Sequence, residues 1–259
     1  MGNRRDHLIA AIVDVSHRLA AKGWVANHDG NVSARLDDDL LATPTSISKA
    51  DVTPELILTL DCQGNKLQGI GKPFSEIQLH LAAYAARPEI QAVVHAHPPL
   101  ATARGLSGGD FIVPLPEAVI SIGDTIPVAR YAMPGSADGV TALSEALAVS
   151  DVVMLAGNGA WSMGRDLMEA YLRLELLEHL LLIDRYARDM GPVLEIPPAD
   201  RRQLLEKRVA LGLGRVTASV PGPVSDPAPG GVSAPLAASD DLIRRLIVDE
   251  LKKILSKKE

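Results

Sequence analysis

The chain reads as a mixed α/β domain, a sheet covered by helices on at least one side, followed by a linker and one short amphipathic helix. Three observations carry this. Short runs rich in β-branched residues, "IQAVVHAH" and "DVVMLAG", alternate with longer stretches of helical period such as "RDLMEAYLRLELLEHLLLIDRYARDM". Of the 259 residues, 47% are apolar and 22% charged, which is the composition of a globular core. Composition then changes abruptly after Arg215, where "TASVPGPVSDPAPGGVSAPLAAS" carries almost no charge and reads as a linker.

Residues 4–22 place Leu8, Ile9, Ile12, Val13, Ser16 and Leu19 at helical spacing, and Gly23 supplies a stop, so the first element is an amphipathic helix. Its start, "MGNRRDHLIAAIVDV", has no apolar segment followed by a small-residue cleavage site, which predicts a mature helix in place of a signal peptide. It also lacks the Ser or Thr of a myristoylation signal. "VSARL" and "LLAT" read as short strands, "TPTSIS" as a turn, and "LILTLD" with "QGN" as a hairpin. "PFSEIQLHLAAYAARP" reads as a helix capped by Ser75 and ended by Pro88, with Glu76, His80 and Ala83 on one face. "IQAVVHAH" follows as a buried strand. "VISIGDTIPVARY" predicts strand, turn and strand, "GVTALSEALAV" a helix, "DVVMLAG" a further buried strand, and residues 165–190 a long helix. The expected organisation is a domain over 1–214, a linker over 215–238 and a helix over 239–259. In that last helix Ser239 or Asp240 is the cap, and Leu242, Ile243, Leu246, Ile247, Leu251, Ile254 and Leu255 form one apolar stripe. A single helix so short cannot cover that stripe alone.

Several function classes are disfavoured by composition. No apolar run approaches the roughly 18 uninterrupted residues of a membrane span. A net charge of −6 opposes a nucleic-acid partner held by phosphate neutralisation, and 3% aromatic residues are too few for a base-stacking surface. A lone cysteine, Cys62, excludes an internal disulfide framework, agrees with a reducing cytoplasmic location, and reads as a buried or idle thiol beside the hairpin turn.

Chemistry concentrates at "VVHAHPPLATA". Alternate residues of a strand face one way, so His95 and His97 can offer both imidazoles to one ion, and imidazole suits zinc and other late first-row metals. By itself an H-x-H is a weak signal, and two core or surface histidines are the commoner outcome. His80, one turn after Glu76, reads as a packed residue that orients the glutamate. Glu175 and His179 share a face of the long helix and belong to its packing, and His7, His17 and His28 read as surface or first-helix residues. "GIGK" at 69–72 lacks the spacing of a phosphate-binding loop.

Five motifs then agree in order and spacing: "GNVS" at 30–33, "TPTSIS" at 43–48, "KPFSEIQLHLAAYAARPEIQAVVHAHPPLATA" at 72–103, "PEAVISIGDTIPVARYAMPGS" at 116–136 and "LAGNGAWSMGRDLMEAYLRLELLEH" at 155–179. Together they resemble the class II aldolase family of fuculose- and rhamnulose-phosphate aldolases and the adducin head domain, over about residues 5–210. The resemblance implies a mostly antiparallel central sheet covered by helices and a homotetramer with sites between subunits. It also implies a zinc-dependent retro-aldol cleavage of a ketose 1-phosphate to dihydroxyacetone phosphate and an aldehyde. By motif position the resemblance implies that Glu76 would be the acid/base that also approaches the metal at rest, and that His95 and His97 would be metal ligands. Gly30, Asn31, Thr45, Ser46 and Ser75 line the phosphate pocket, where backbone N–H groups and hydroxyls suit a dianion.

The chain departs from that pattern at particular positions. The third metal histidine of the family falls at Asn158, whose amide oxygen is a poorer zinc ligand than imidazole. What remains is a set of His95, His97 and Glu76, and the expected cofactor is zinc, another divalent first-row ion, or none if the site is degraded. Phe74 stands where sugar-phosphate aldolases commonly have the first of two serines, and Ser46 where glycine is frequent. The family's tyrosine proton donor falls near Pro116 and Glu117, to which no role is assigned. Two alternatives therefore stay open beside the aldolase: a non-catalytic, adducin-like scaffold, and another sugar-phosphate lyase, decarboxylase or epimerase on the same fold. The linker and final helix resemble the encapsulation peptides of bacterial microcompartment enzymes, which implies helix-in-groove docking of 239–259 on a shell protein in the compartment lumen. Folding back on the chain's own oligomer is the competing use of that stripe. Membrane-surface binding is disfavoured because acids share its polar face.

Overall fold

The computed structural model describes residues 2–133 and 136–213, so the expected linker and the 239–259 helix lie outside the described residues. Helix α1 (Gly2–Ala21) buries Ile12, Ser16 and Leu19 of the expected stripe and Val15 beside them, while Leu8, Ile9 and Val13 are half-buried. Strands β1 (Asn31–Leu36) and β2 (Asp39–Ala42) form a tight hairpin, and two single-turn 3-10 helices follow at Lys49–Asp51 and Pro54–Leu56. Strands β3 (Leu58–Leu60) and β4 (Lys66–Gln68) enclose a turn in which Asp61 accepts the backbone N–H groups of Gln63 and Asn65. Cys62 sits on this turn and is exposed, an idle surface thiol and not a buried one.

Helix α2 (Ile77–Ala86) leads into β5 (Ala92–Ala96), and α3 (Pro99–Ser107) follows at once. Next come β6 (Phe111–Ile112), α4 (Pro116–Ile122), β7 (Thr125–Ile126), β8 (Val128–Ala129) and α5 (Ala137–Leu147). The domain closes with β9 (Val152–Leu155), β10 (Ala160–Gly164), α6 (Leu167–Met190) and α7 (Pro198–Ala210).

Among the described residues eight strands form one sheet in the order β4-β3-β2-β1-β5-β10-β9-β8, antiparallel throughout except for the β8–β9 pair. Side chains alternate between the two faces with the two-residue period of a strand: Ala92, Val94 and Ala96 of β5 pack with α1 and α6, whereas Val93 packs with α2 and α5, and all are buried. Helices thus cover both faces.

Two elements differ from expectation. "VISI" is the end of α4 and not a strand, because Pro116 pre-sets the first helical turn, Gly123 with φ 96° ends the helix, and Ala118, Val119 and Ile122 bury one helical face. Strand β10, "AWSMG", has no β-branched residue and takes its conformation from its two neighbours, pairing with β5 on one side and β9 on the other. The lower part of the domain is tied together by Asp151, which is 2% exposed and meets Arg87 at 2.7 Å, Arg173 at 3.2 Å and Arg208 at 2.6 Å. That one carboxylate joins the end of α2 to α6 and α7.

Candidate active site

Three antiparallel strands bring the motifs to one end of the sheet. Asn31 at the start of β1 pairs with His95 near the end of β5, and Trp161 of β10 pairs with His95 from the other side. The turns flanking these strands must come close to β5, and two glycines allow it. A Cβ on Gly30 (φ 72°) would stand 2.8 Å from the His95 carbonyl oxygen, and one on Gly159 (φ 67°) would overlap the Ala96 carbonyl and the His97 ring. Gly159 thereby seats Asn158 over the same spot.

Glu76 occupies the position before the first turn of α2, with no side-chain capping bond. Ser75, expected as the cap, is exposed and makes none. The Glu76 carboxylate is therefore free to turn toward the strand ends, where both its oxygens are taken. Asn31 Nδ2 donates to Oε2 at 3.0 Å, and Asn158 Nδ2 donates to Oε1 at 2.6 Å. His95 Nε2 lies 3.4 Å from Oε2. Burial pushes the Glu76 pKa up, but the neighbouring His95 and the two amide donors outweigh it, so the group is held below the ordinary carboxylate range.

His95 is fully buried and stacks on Trp161 with ring centroids 4.9 Å apart. Its Nδ1 is 3.1 Å from the Ala160 carbonyl, which can only accept, so Nδ1 carries the proton and Nε2 presents a lone pair. Burial lowers its pKa further, against the pull of Glu76, which keeps the ring neutral. His97, just past the strand end, is held by its own N–H bonded to the Trp24 carbonyl at 2.8 Å, and its Nδ1 faces Asp29 at 3.8 Å. The helix that starts immediately after it is anchored by Glu178 of α6, which accepts the N–H groups of Leu100 and Ala101 at 3.0 and 2.9 Å.

The strand alternation does bring the two histidines together, with Nε2 of His97 3.3 Å from Nε2 of His95. Two nitrogens each ~2.05 Å from a tetrahedral ion stand about 3.3 Å apart, so this pair fits a divalent metal, with the Glu76 carboxylate the third group in reach. Among the described residues no three His, Cys, Asp or Glu side chains surround a common point, and Asn158 turns its N–H toward Glu76. The donor set is that of a weak site.

The remaining predicted residues are grouped less tightly. Thr45 and Ser46 are exposed in the turn after β2, where Ser46 takes the left-handed conformation (φ 62°) that favours glycine, matching the residue type it replaces. The Thr45 N–H bonds to the Lys72 carbonyl at 3.0 Å, which lays this turn along the segment that leads to Ser75. Phe74 is 7% exposed and packs on His80 with centroids 4.8 Å apart. Of the two residues expected to pack the long helix, Glu175 is half-buried and bonds to Lys22 and Tyr171, but His179 is exposed on the helix surface and does not pack. Trp161, Asp29 and Glu178 carried no assignment from sequence. Only the strand register and the helix start after His97 reveal them.

Fold and site together define a carboxylate held between two amides beside the neutral His95 ring at one end of a helix-covered sheet, the equipment for moving a proton beside a polarised carbonyl. Residues 10–184 match the class II aldolase and adducin N-terminal domain, and the chain belongs to that family. It is 31% identical over 172 residues to an L-fuculose phosphate aldolase of Methanococcus maripaludis, covering 66% of this chain and 93% of the relative. It is 34% identical over 173 residues to a 3-oxo-tetronate 4-phosphate decarboxylase of Haemophilus influenzae, covering 64% and 81%. In fold it matches the structure of an L-fuculose 1-phosphate aldolase with a TM-score of 0.72 over 78% of this chain and 95% of that one, at 24% identity.

Proposed function

We propose that the chain is a sugar-phosphate lyase that cleaves a ketose 1-phosphate of the fuculose or rhamnulose type into dihydroxyacetone phosphate and an aldehyde. The observation that carries this reading is the ionised Glu76 carboxylate, held between Asn31 and Asn158 with neutral His95 beside it. A divalent ion, zinc or another first-row metal, held by His95 and His97 with Glu76 in reach, would supply Lewis-acid polarisation of the substrate carbonyl. Glu76 takes the proton from the hydroxyl on the carbon that leaves as the aldehyde. The carbon–carbon bonding pair stays with the phosphate-bearing fragment, and Glu76 then returns the proton to that fragment's carbanionic carbon. Gly30, Asn31, Thr45, Ser46 and Ser75 hold the phosphate. The Asn31 side chain is already committed at both ends, so its share in phosphate binding falls to the backbone and the turn before it.

The similarity to a 3-oxo-tetronate 4-phosphate decarboxylase supports a second reading, since decarboxylation of a 3-oxo acid also leaves a carbanion next to a carbonyl. A panel of ketose 1-phosphates and 3-oxo acid phosphates, read for dihydroxyacetone phosphate and for carbon dioxide, separates the two. Turnover of neither, by protein supplied with divalent metal, would leave the scaffold reading in front. The assembly proposed is a homotetramer. Residues 239–259 are proposed as a docking segment for a microcompartment shell, a reading supported by their sequence pattern alone. No helix among the described residues is long and apolar enough to cross a membrane.

A further inference from the structure

Behind Glu76 runs a buried row of hydrogen bonds that no motif announces. Asn31 Nδ2 donates to Glu76 Oε2 at 3.0 Å, and its Oδ1 meets Nε2 of His80. His80 Nδ1 meets the Ser33 hydroxyl at 2.7 Å, and that hydroxyl meets the Tyr84 hydroxyl at 2.9 Å. Asn31, Ser33, His80 and Tyr84 are all buried, at 4% exposure or less, so water does not complete or scramble the row.

Its polarity follows from the end that touches the carboxylate. An ionised carboxylate only accepts, so the amide nitrogen of Asn31 must face it and the amide oxygen must face His80. That oxygen needs a donor, so the His80 proton sits on Nε2. A neutral ring then has only a lone pair at Nδ1, and burial, reinforced by His95, pushes the His80 pKa down to about 3. Ser33 must donate its one hydroxyl proton to Nδ1, and its oxygen accepts from Tyr84. Every donor in the row points toward Glu76. The opposite ring tautomer would ask Asn31 to turn its oxygen toward the carboxylate, setting two acceptors face to face.

We propose that His80, fixed in its Nε2–H tautomer by Ser33 and Tyr84, is a positioning residue that holds the Asn31 amide with its N–H toward Glu76. The proposal rests on the acid/base role assigned to Glu76 above. His80 is fully buried and its ring nitrogens meet Asn31 and Ser33, not Glu76, so it acts through Asn31. It is more than a core filler, although its ring also packs on Phe74 and Trp161, with centroids 4.8 and 4.7 Å away.

Two substitutions separate positioning from packing. His80→Phe keeps a flat ring between Phe74 and Trp161 and removes the donor, whereas His80→Gln loses the ring and keeps an N–H able to reach Asn31. Positioning predicts that His80→Phe lowers kcat by roughly 100-fold, the scale of a misplaced reacting group. His80→Gln should recover most of that loss. A packing role predicts the reverse order, with Phe the better replacement, and that order overturns the proposal. The second readout needs no substrate: ring-nitrogen NMR of the full-length protein labelled with 15N-histidine, with His80 assigned through the Gln variant. A neutral ring protonated on Nε2 supports the row, and one protonated on Nδ1 overturns it. Should the unsubstituted protein turn over no substrate, the proposed activity fails and the tautomer alone decides the inference.

Discussion

Replacing Asn158 by histidine tests the metal centre most directly. Nε2 of His95 and Nε2 of His97 are already at the spacing of two ligands on one tetrahedral ion, 3.3 Å, and Glu76 Oε2 stands 3.4 Å from the first. Asn158 contributes an N–H to Glu76 at 2.6 Å in place of a ligand atom. Structural zinc held by four protein ligands is bound with about 10–16 kcal/mol, or about 3 kcal/mol per ligand, so one added imidazole is worth roughly a 100-fold gain in affinity. The hydrogen bond from the Asn158 amide to Glu76 that the variant gives up weakens its metal-free form and frees the carboxylate, which acts in the same direction. Zinc affinity is measured by competition with a chelating indicator at fixed pH, because binding must displace protons from the ligands, and checked by elemental analysis after dialysis. Thermal melting confirms that both proteins are folded. If the two folded proteins bind zinc within threefold of each other, or if the unsubstituted chain retains one tightly held ion through dialysis, Asn158 is not the missing ligand and the account of a weakened site is wrong.

Other outcomes follow from the same geometry. His80 has a folded pKa of about 3 against an unfolded value near 6.5, so its unfolded form takes up a proton first as pH falls. Its contribution is complete above pH ~6.5 and is lost progressively toward pH ~3, on the order of 2 kcal/mol by pH 5. Urea melts at pH 7 and 5 should show this slope, and His80→Gln should flatten it; an unchanged slope in the variant contradicts the assignment. Asp151→Ala leaves Arg87, Arg173 and Arg208 around an empty centre and should destabilise the domain by about 3–5 kcal/mol in denaturant melts. Gly159→Ala should abolish turnover and lower the melting temperature, because its Cβ would overlap the Ala96 carbonyl and the His97 ring. Deleting residues 217–259 should leave the melting curve of the domain unchanged while removing any association with shell proteins; loss of soluble folded protein would contradict the expected domain boundary.

Much of the site can be read in the sequence because its parts depend on local rules. A two-residue period places His95 and His97 on one side, a helical period places Glu76 above His80, and glycines mark the turns at 30 and 159 where backbones must approach. The motifs carried the family, and with it the nearly all-antiparallel sheet. Local rules failed where a neighbour decides. The β-branched "VISI" became helix because Pro116 and Gly123 bound it, and "AWSMG" became a central strand because β5 and β9 flank it. Ser75 looked like a cap, but the position before the helix belongs to Glu76, whose carboxylate makes no capping bond and turns instead to Asn31 and Asn158.

By itself, then, the sequence determined the family, the mixed α/β class, and the residue types gathered for chemistry: a glutamate, two histidines and an asparagine where a third histidine is expected. Only the tertiary structure decided what those residues do to one another. Hydrogen-bond direction between residues 45 or 82 positions apart is not a property of either segment. It exists only once β1, the β9–β10 turn and the start of α2 are packed together, and it is that packing which clamps Glu76 between two amides, turns Asn158 from a ligand position to a donor, and sets the tautomers of His95 and His80.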